Sequence, residues 1–139
     1  MDLNGTLSAG GELLPGVADA VERARRAGFR VVLVSGDSRG NLGELAELLG
    51  VSFERVSGTD EGKAKLRVVR SLGTSRLAFI GNGANDRLAL KAARLGIVVV
   101  GPEGAARQAL DNADVVVTSP VDALDLLSDP ARLKATLRR

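Results

Sequence analysis

The run Leu77-Ala78-Phe79-Ile80 passes without a break into Gly81-Asn82-Gly83-Ala84-Asn85-Asp86, and a helical pattern of Leu88, Leu90, Ala92, Ala93 and Leu95 follows at once. An apolar strand that hands over through a polar turn to a helix is the signature of an α/β sheet. In open sheets of that kind the turn lies at the carboxyl end of the strand, where ligands bind. Gly81 and Gly83 let the backbone turn tightly and come close to a ligand. Asn82 and Asp86 offer hard oxygen atoms of the type that suits magnesium, and the helix amino end that follows favours phosphate. The plainer reading is a loop in which Asn85 or Asp86 simply caps the helix. Asp86 stands where a dinucleotide fingerprint needs its third glycine. A phosphate P-loop is excluded, since no Gly-Lys-Ser or Gly-Lys-Thr occurs.

The rest of the chain alternates in the same way. After a short start at Asp2–Leu7, Ser8–Glu12 with Gly10-Gly11 reads as a tight turn or small flap. Pro15 opens a helix to about Ala27, ended by Gly28. Strands are expected at Phe29–Val34, Val51–Val56, Leu77–Ile80, Ile97–Val100 and Val115–Val117. Helices are expected at Asn41–Leu49, Asp60–Leu72, Ala84–Leu95, Glu103–Asn112 and Val121–Leu127, with a short basic helix or frayed end over Ala131–Arg139. Leu42, Leu45, Leu48 and Leu49 mark one face of the second helix. Strands that read as unbroken apolar runs between helices indicate a parallel sheet covered on both faces. At 139 residues the chain is one domain.

Composition removes much chemistry. There is no Cys and no His, so disulfides, thiol nucleophiles, histidine triads and most zinc or iron sites are out. Aromatic residues make up 2% and the net charge is +2, without a basic block, so nucleic-acid binding is not expected. No apolar run approaches a membrane span and no signal peptide is visible, so a cytoplasmic protein without membrane insertion is expected. What remains is carboxylate, hydroxyl, amide and lysine chemistry, a palette that fits magnesium and phosphate. Those groups gather after the strands: Asp2, Asn4 and Thr6; Ser35, Asp37 and Ser38; Asn82, Asn85 and Asp86. In a parallel sheet all three sets converge on one edge, and Lys65 on the preceding helix can reach it.

At these residues the chain resembles the haloacid dehalogenase superfamily, and within it the phosphorylation domain of P-type ATPases. Asp2-Leu3-Asn4-Gly5-Thr6-Leu7 is similar to the first family motif, Val34-Ser35-Gly36-Asp37 to the second and Gly81–Asp86 to the fourth. Lys65, with Val69 and Leu72 after it, has the spacing of the motif-three lysine, and Lys63 does not. The resemblance covers about residues 2–118 and looks nearest to the small soluble P-type ATPase-like proteins. It implies a Rossmann-like three-layer α/β/α fold with a mainly parallel sheet and no cap domain, as one domain over residues 1–139. It also implies a magnesium-dependent phosphohydrolase or phosphotransferase that forms an aspartyl phosphate at Asp2. Asp2, Asn4 and Lys65 would carry catalysis. Thr6, Ser35, Gly36, Lys65 and Asn85 would hold the phosphoryl group, and Asp2, Asn4, Asn82 and Asp86 the metal. A small phosphorylated substrate or an acyl phosphate is the implied substrate, with a homo-oligomer or a transporter partner as further possibilities.

Two positions depart from the family pattern. Asn4 replaces the carboxylic acid that serves as general acid, a role typically worth about 10² to 10⁴-fold. Asn82 replaces a carboxylate of the metal set. An alternative therefore stands beside the enzyme: a weak or inactive relative that binds phosphate or a partner. The start is also unusual, because Asp2 follows only Met1 where the family has a central apolar strand. The domain is expected to lack the first half of that strand, with translation starting upstream, the strand supplied otherwise, or the fold compromised.

Overall fold

The computed structural model describes residues 1–139. Chain order runs β1 (Ser8–Ala9), β2 (Glu12–Leu13), α1 (Val17–Arg26), β3 (Val32–Ser35), α2 (Leu42–Leu49), β4 (Ser52–Arg55), α3 (Glu61–Leu72), β5 (Ala78–Gly81), α4 (Arg87–Ala92), β6 (Leu95–Val99), α5 (Arg107–Leu110), β7 (Val115–Val117), α6 (Pro120–Ser128) and α7 (Pro130–Leu137). Single 3-10 turns lie at Thr74–Arg76 and Ala84–Asp86.

Five strands form two parallel blocks. β3 pairs with β4, Val32 opposite Ser52. β5 pairs with β6 and β6 with β7, Ile80 opposite Ile97 and Val98 opposite Val116. The amino end joins the blocks. The Met1 ammonium donates to the Val32 carbonyl at 2.7 Å, Val34 N–H donates to the Met1 carbonyl at 2.8 Å, and Asp2 N–H donates to the Ile80 carbonyl at 2.8 Å. Across the molecule the order is β4, β3, Met1–Asp2, β5, β6, β7. Asp2 is thereby held at the centre of the sheet's carboxyl edge, beside Ser35 and Gly81.

Helices cover both faces. α1, α2 and α6 bury Val17, Val21, Leu42, Leu49 and Leu124 against Leu3, Leu33, Ile80 and Ile97. On the other face α3, α4 and α5 pack Val69, Ala89, Leu90 and Ala109 on Phe79 and Val98. This is a three-layer α/β/α domain. The connection that follows Asp2 carries only the β1–β2 hairpin, at the place of the expected flap, Ser8 opposite Leu13.

Several boundaries differ from the pattern of the sequence. The first helix begins at Val17, because Gly16, with φ 80°, turns the chain after Pro15. Leu48 is 70% exposed and off the buried face. Ala46 takes its place, since Leu42, Leu45, Ala46 and Leu49 form the tighter stripe at 3.6 residues per turn. The expected Ala84–Leu95 helix breaks into the 3-10 turn and α4, and Leu95 already belongs to β6. The expected Glu103–Asn112 helix shrinks to Arg107–Leu110, because Gly101 and Gly104 close a bridge that carries Glu103 outside it. β3 starts three residues later than Phe29. β4 is a fully exposed edge strand.

Candidate active site

Six polar or charged residues of the chain are buried, namely Asp2, Thr6, Ser8, Ser35, Lys65 and Asp86, and all but Ser8 are site candidates. Buried polar groups need partners, because an unpaired one costs free energy. Here Asp2, Thr6, Lys65 and Asp86 form one connected set. Lys65 Nζ donates to Asp2 Oδ1 and to Asp86 Oδ1, both at 2.7 Å. Thr6 Oγ1 donates to Asp2 Oδ2 at 3.0 Å and lies 3.1 Å from Asn82 Oδ1. The main-chain N–H groups of Asn82 and Gly83 donate to Asp86 Oδ2 at 3.0 and 2.9 Å.

Local structure explains each placement. Asp60 caps α3 by accepting from Lys63 N–H, so the helix starts where its second turn presents Lys65 inward. Lys63, about 200° round the helix, is exposed and pairs with Asp60 at 3.2 Å. Gly81 and Gly83 are needed for room rather than for a left-handed turn. A Cβ on Gly81 would lie 2.6 Å from the Asp86 carboxyl carbon, and one on Gly83 2.4 Å from Asn85 Oδ1. Gly5 combines φ +78° with a Cβ position 2.5 Å from Asn82 Nδ2.

The charges are strongly coupled. Burial, with repulsion from Asp86, pushes the Asp2 carboxyl up to about 6, against the pull of Lys65 and Thr6. Burial alone would lower the Lys65 pKa, but Asp2 and Asp86 reverse the effect and raise it. The lysine is therefore a fixed cation between two carboxylates.

No group of three or more Asp, Glu, His or Cys side chains is positioned to hold a metal. Two carboxylates, the Asn82 amide oxygen and the Asn4 turn remain. Asn4 Oδ1 is buried and has no hydrogen-bond partner. An orphaned acceptor two residues after Asp2, in an all-oxygen set, fits a hard cation such as magnesium.

The other predicted residues are spread around this centre. Ser35 ends β3 and its Oγ accepts from Asp37 N–H at 3.1 Å. Asp37 has φ 56° and is tied to Leu42 N–H and to Arg55. Asn85 turns away to donate to Glu61 Oε2 at 2.8 Å. Gly36 lies against the same Glu61 carboxylate. Glu61 and Glu103 were not anticipated. Glu61 reads as an ordinary first-turn acid. Glu103 accepts from Gly10 N–H at 3.0 Å, across 93 positions of chain. On the opposite side Asn41 Nδ2 donates to the Gly11 carbonyl at 2.9 Å, so the flap is fastened at both shoulders.

A buried aspartate at the carboxyl edge of the sheet between β3 and β5, faced by a helix-borne lysine and a second aspartate from a Gly-x-Gly turn, defines a hydrolase of the haloacid dehalogenase class. The haloacid dehalogenase-like hydrolase family model matches residues 2–94, and the chain belongs to that family. It is 26% identical over 123 residues to a soluble P-type ATPase-like phosphatase of Methanocaldococcus jannaschii, covering 87% of this chain and 45% of that one. An uncharacterized protein of the same organism is 47% identical over 79 residues, 54% of this chain and 85% of that one. The chain thus spans less than half of the curated phosphatase that it matches. Among solved structures, the 3-deoxy-D-manno-octulosonate 8-phosphate phosphatase of Moraxella catarrhalis, in complex with magnesium, phosphate and the sugar acid, superposes with a TM-score of 0.74. It is 21% identical and covers 99% of this chain and 90% of that one, a likeness of fold. No helix is long and apolar enough to cross a membrane.

Proposed function

We propose that the chain is a phosphohydrolase or phosphotransferase in which Asp2 attacks phosphorus and forms an aspartyl phosphate. The observation that carries this reading is the buried Asp2 carboxylate, held by Lys65 and Thr6 at the open edge of the sheet. Phosphoryl transfer asks mainly for positioning and charge neutralisation, and these residues supply both. Lys65 fixes Asp2 Oδ1 and carries a compact positive charge to the phosphoryl oxygens. Thr6 fixes Oδ2 and selects which lone pair faces the substrate. Ser35 and the main chain at Gly36, at the neighbouring strand end, would hold the phosphoryl oxygens. Bound magnesium, held by Asp2, Asp86, Asn82 and an oxygen of Asn4, would neutralise phosphoryl charge. The P–O bond to the leaving group breaks with its electron pair on that group, and water then cleaves the acyl phosphate to restore Asp2.

Asn4 sets the substrate class. An amide supplies no proton at neutral pH, so the leaving group must be a weak base, such as a carboxylate or another phosphate. Acyl phosphates are the favoured class for that reason. The uncapped edge, roofed only by the hairpin, admits large substrates.

A second reading, a phosphate- or partner-binding protein without turnover, is favoured by one observation. Asn82 is committed on both sides, with Oδ1 to Thr6 and Nδ2 to the Gly104 carbonyl at 3.1 Å. Trapping separates the two. Incubation with acetyl phosphate or beryllium fluoride and magnesium should label the protein at Asp2, and Asp2→Asn should abolish the label. Phosphate binding without a trapped adduct in the folded protein would establish the binder instead.

A further inference from the structure

Two of the residues expected to hold the phosphoryl group, Gly36 and Asn85, meet the same side chain. Asn85 Nδ2 donates to Glu61 Oε2 at 2.8 Å, and a Cβ on Gly36 would lie 2.3 Å from Glu61 Oε1 and 3.1 Å from Oε2. The carboxylate therefore stands between the loop that follows β3 and the Gly81–Asp86 turn, at the strand ends that flank Asp2. Gly62 makes the approach possible. It is buried at the start of α3, and a Cβ there would meet the Asn85 carbonyl oxygen at 3.3 Å.

An acid in the first turn of a helix ordinarily serves that helix, through its free amides and its dipole. Here Asp60 already takes the Lys63 N–H, and the side-chain bond of Glu61 goes to Asn85 instead. Its charge is also unmatched. Lys63 is paired with Asp60, Arg55 with Asp37, and Lys65 with Asp2 and Asp86, and none of them reaches Glu61. Where Gly36 and Asn85 would meet phosphoryl oxygens, the protein thus places an uncompensated negative charge.

We propose that Glu61 is a specificity-determining residue that holds down the affinity of this site for the phosphate dianion. The inference rests on the reading of Asp2 as the group that takes up phosphorus, and it adds a control on that same site. Two like charges about 5 Å apart near a protein surface disfavour one another by roughly 10²-fold before salt screening. The penalty is unequal along the reaction. In the loose transition state of phosphoryl transfer the moving group approaches metaphosphate, with one negative charge. The phosphoryl group of a bound substrate and the phosphate dianion carry two. Glu61 therefore opposes substrate and product more than the transition state, which favours turnover over retention.

The test uses inorganic phosphate, with magnesium present, on the 139-residue chain and two variants. Glu61→Gln keeps an oxygen for Asn85 Nδ2 and removes only the charge, whereas Glu61→Ala removes both. Calorimetry should give Glu61→Gln a Kd for phosphate at least tenfold lower than wild type, and saturating acetyl phosphate should label Asp2 no faster in that variant. Equal phosphate affinities overturn the inference, and a label at Asp2 in both proteins then leaves the proposed chemistry standing. Tighter phosphate in Glu61→Ala alone also overturns it, because the freed Asn85 amide would then be responsible. A labelling rate that rises along with the affinity overturns the unequal penalty. A tenfold gain in Glu61→Gln with no label in either protein upholds the role of Glu61 at a phosphate site and removes Asp2 as the nucleophile. No phosphate binding by any of the three folded proteins overturns both.

Discussion

Asn85 Nδ2 donates to Glu61 Oε2 at 2.8 Å and so fastens the Gly81–Asp86 turn to the first residue of α3. The same carboxylate fills the space above Gly36, where a Cβ would lie 2.3 Å from Glu61 Oε1. Two of the three strand-end loops are thereby braced by one side chain.

That contact predicts a specific coupling. Gly36→Ala should cost about 1–3 kcal/mol by overpacking against Glu61. In a Glu61→Ala background the same change should cost less than about 0.5 kcal/mol. A urea-denaturation double-mutant cycle reads the difference, and an equal cost in both backgrounds would show that Glu61 does not press on Gly36.

Lys65→Met should destabilise far more than Lys63→Ala. Removing the shared cation leaves Asp2 and Asp86 buried and unpaired, a loss of roughly 3–5 kcal/mol. Lys63 reaches only the exposed Asp60, so its removal should leave the melting temperature nearly unchanged. Similar thermal shifts for the two variants would contradict the buried arrangement.

Magnesium affinity should depend on acid. Asp2 has a folded-state pKa of about 6 against an ordinary 3.8. Between those values the metal-free folded protein holds a proton that the unfolded chain has lost. Stability from this group is full below pH 3.8 and is lost as pH rises through 6. A bound cation requires the carboxylate, so affinity should weaken as pH falls below 6, by about tenfold per unit. Calorimetric titration at about pH 5 and about pH 7 should show that ratio with proton release at the lower pH. A pH-independent affinity would place the cation away from Asp2.

Asn4→Asp should restore a proton donor. Turnover of substrates with strongly basic leaving groups should rise by up to about 10² to 10⁴-fold, while acyl phosphates gain much less. Steady-state kinetics on the two classes decides the matter, and an equal gain on both would assign Asn4 some role other than a missing acid.

The legible parts of this protein are those governed by local periodicity. The hand-over from Ile80 to Gly81–Asp86 is written in adjacent residues. The separation of Lys65 from Lys63 follows from helix geometry and an aspartate cap. Asp86 reads as polar, and only burial turns it into a partner of Lys65. Less legible features depend on distant backbone. α4 stops early because β6 runs beneath it so closely that a Cβ on Gly96 would lie 2.6 Å from the Leu90 carbonyl oxygen. Nothing near Glu103 signals that its carboxylate meets Gly10. Leu48 matches the apolar pattern as well as Leu49 does, and only the packing of Ala46 decides between them.

The hairpin over the site has a kinetic meaning. Its ladder is two residue pairs long, and its tip hangs from Glu103 on one side and Asn41 on the other. Each such tie is worth about 1 kcal/mol, so a lifted tip is rarer than a lowered one by a factor of roughly 5–30. Thermal motion alone is thus enough to break and remake the two ties that hold this turn in place.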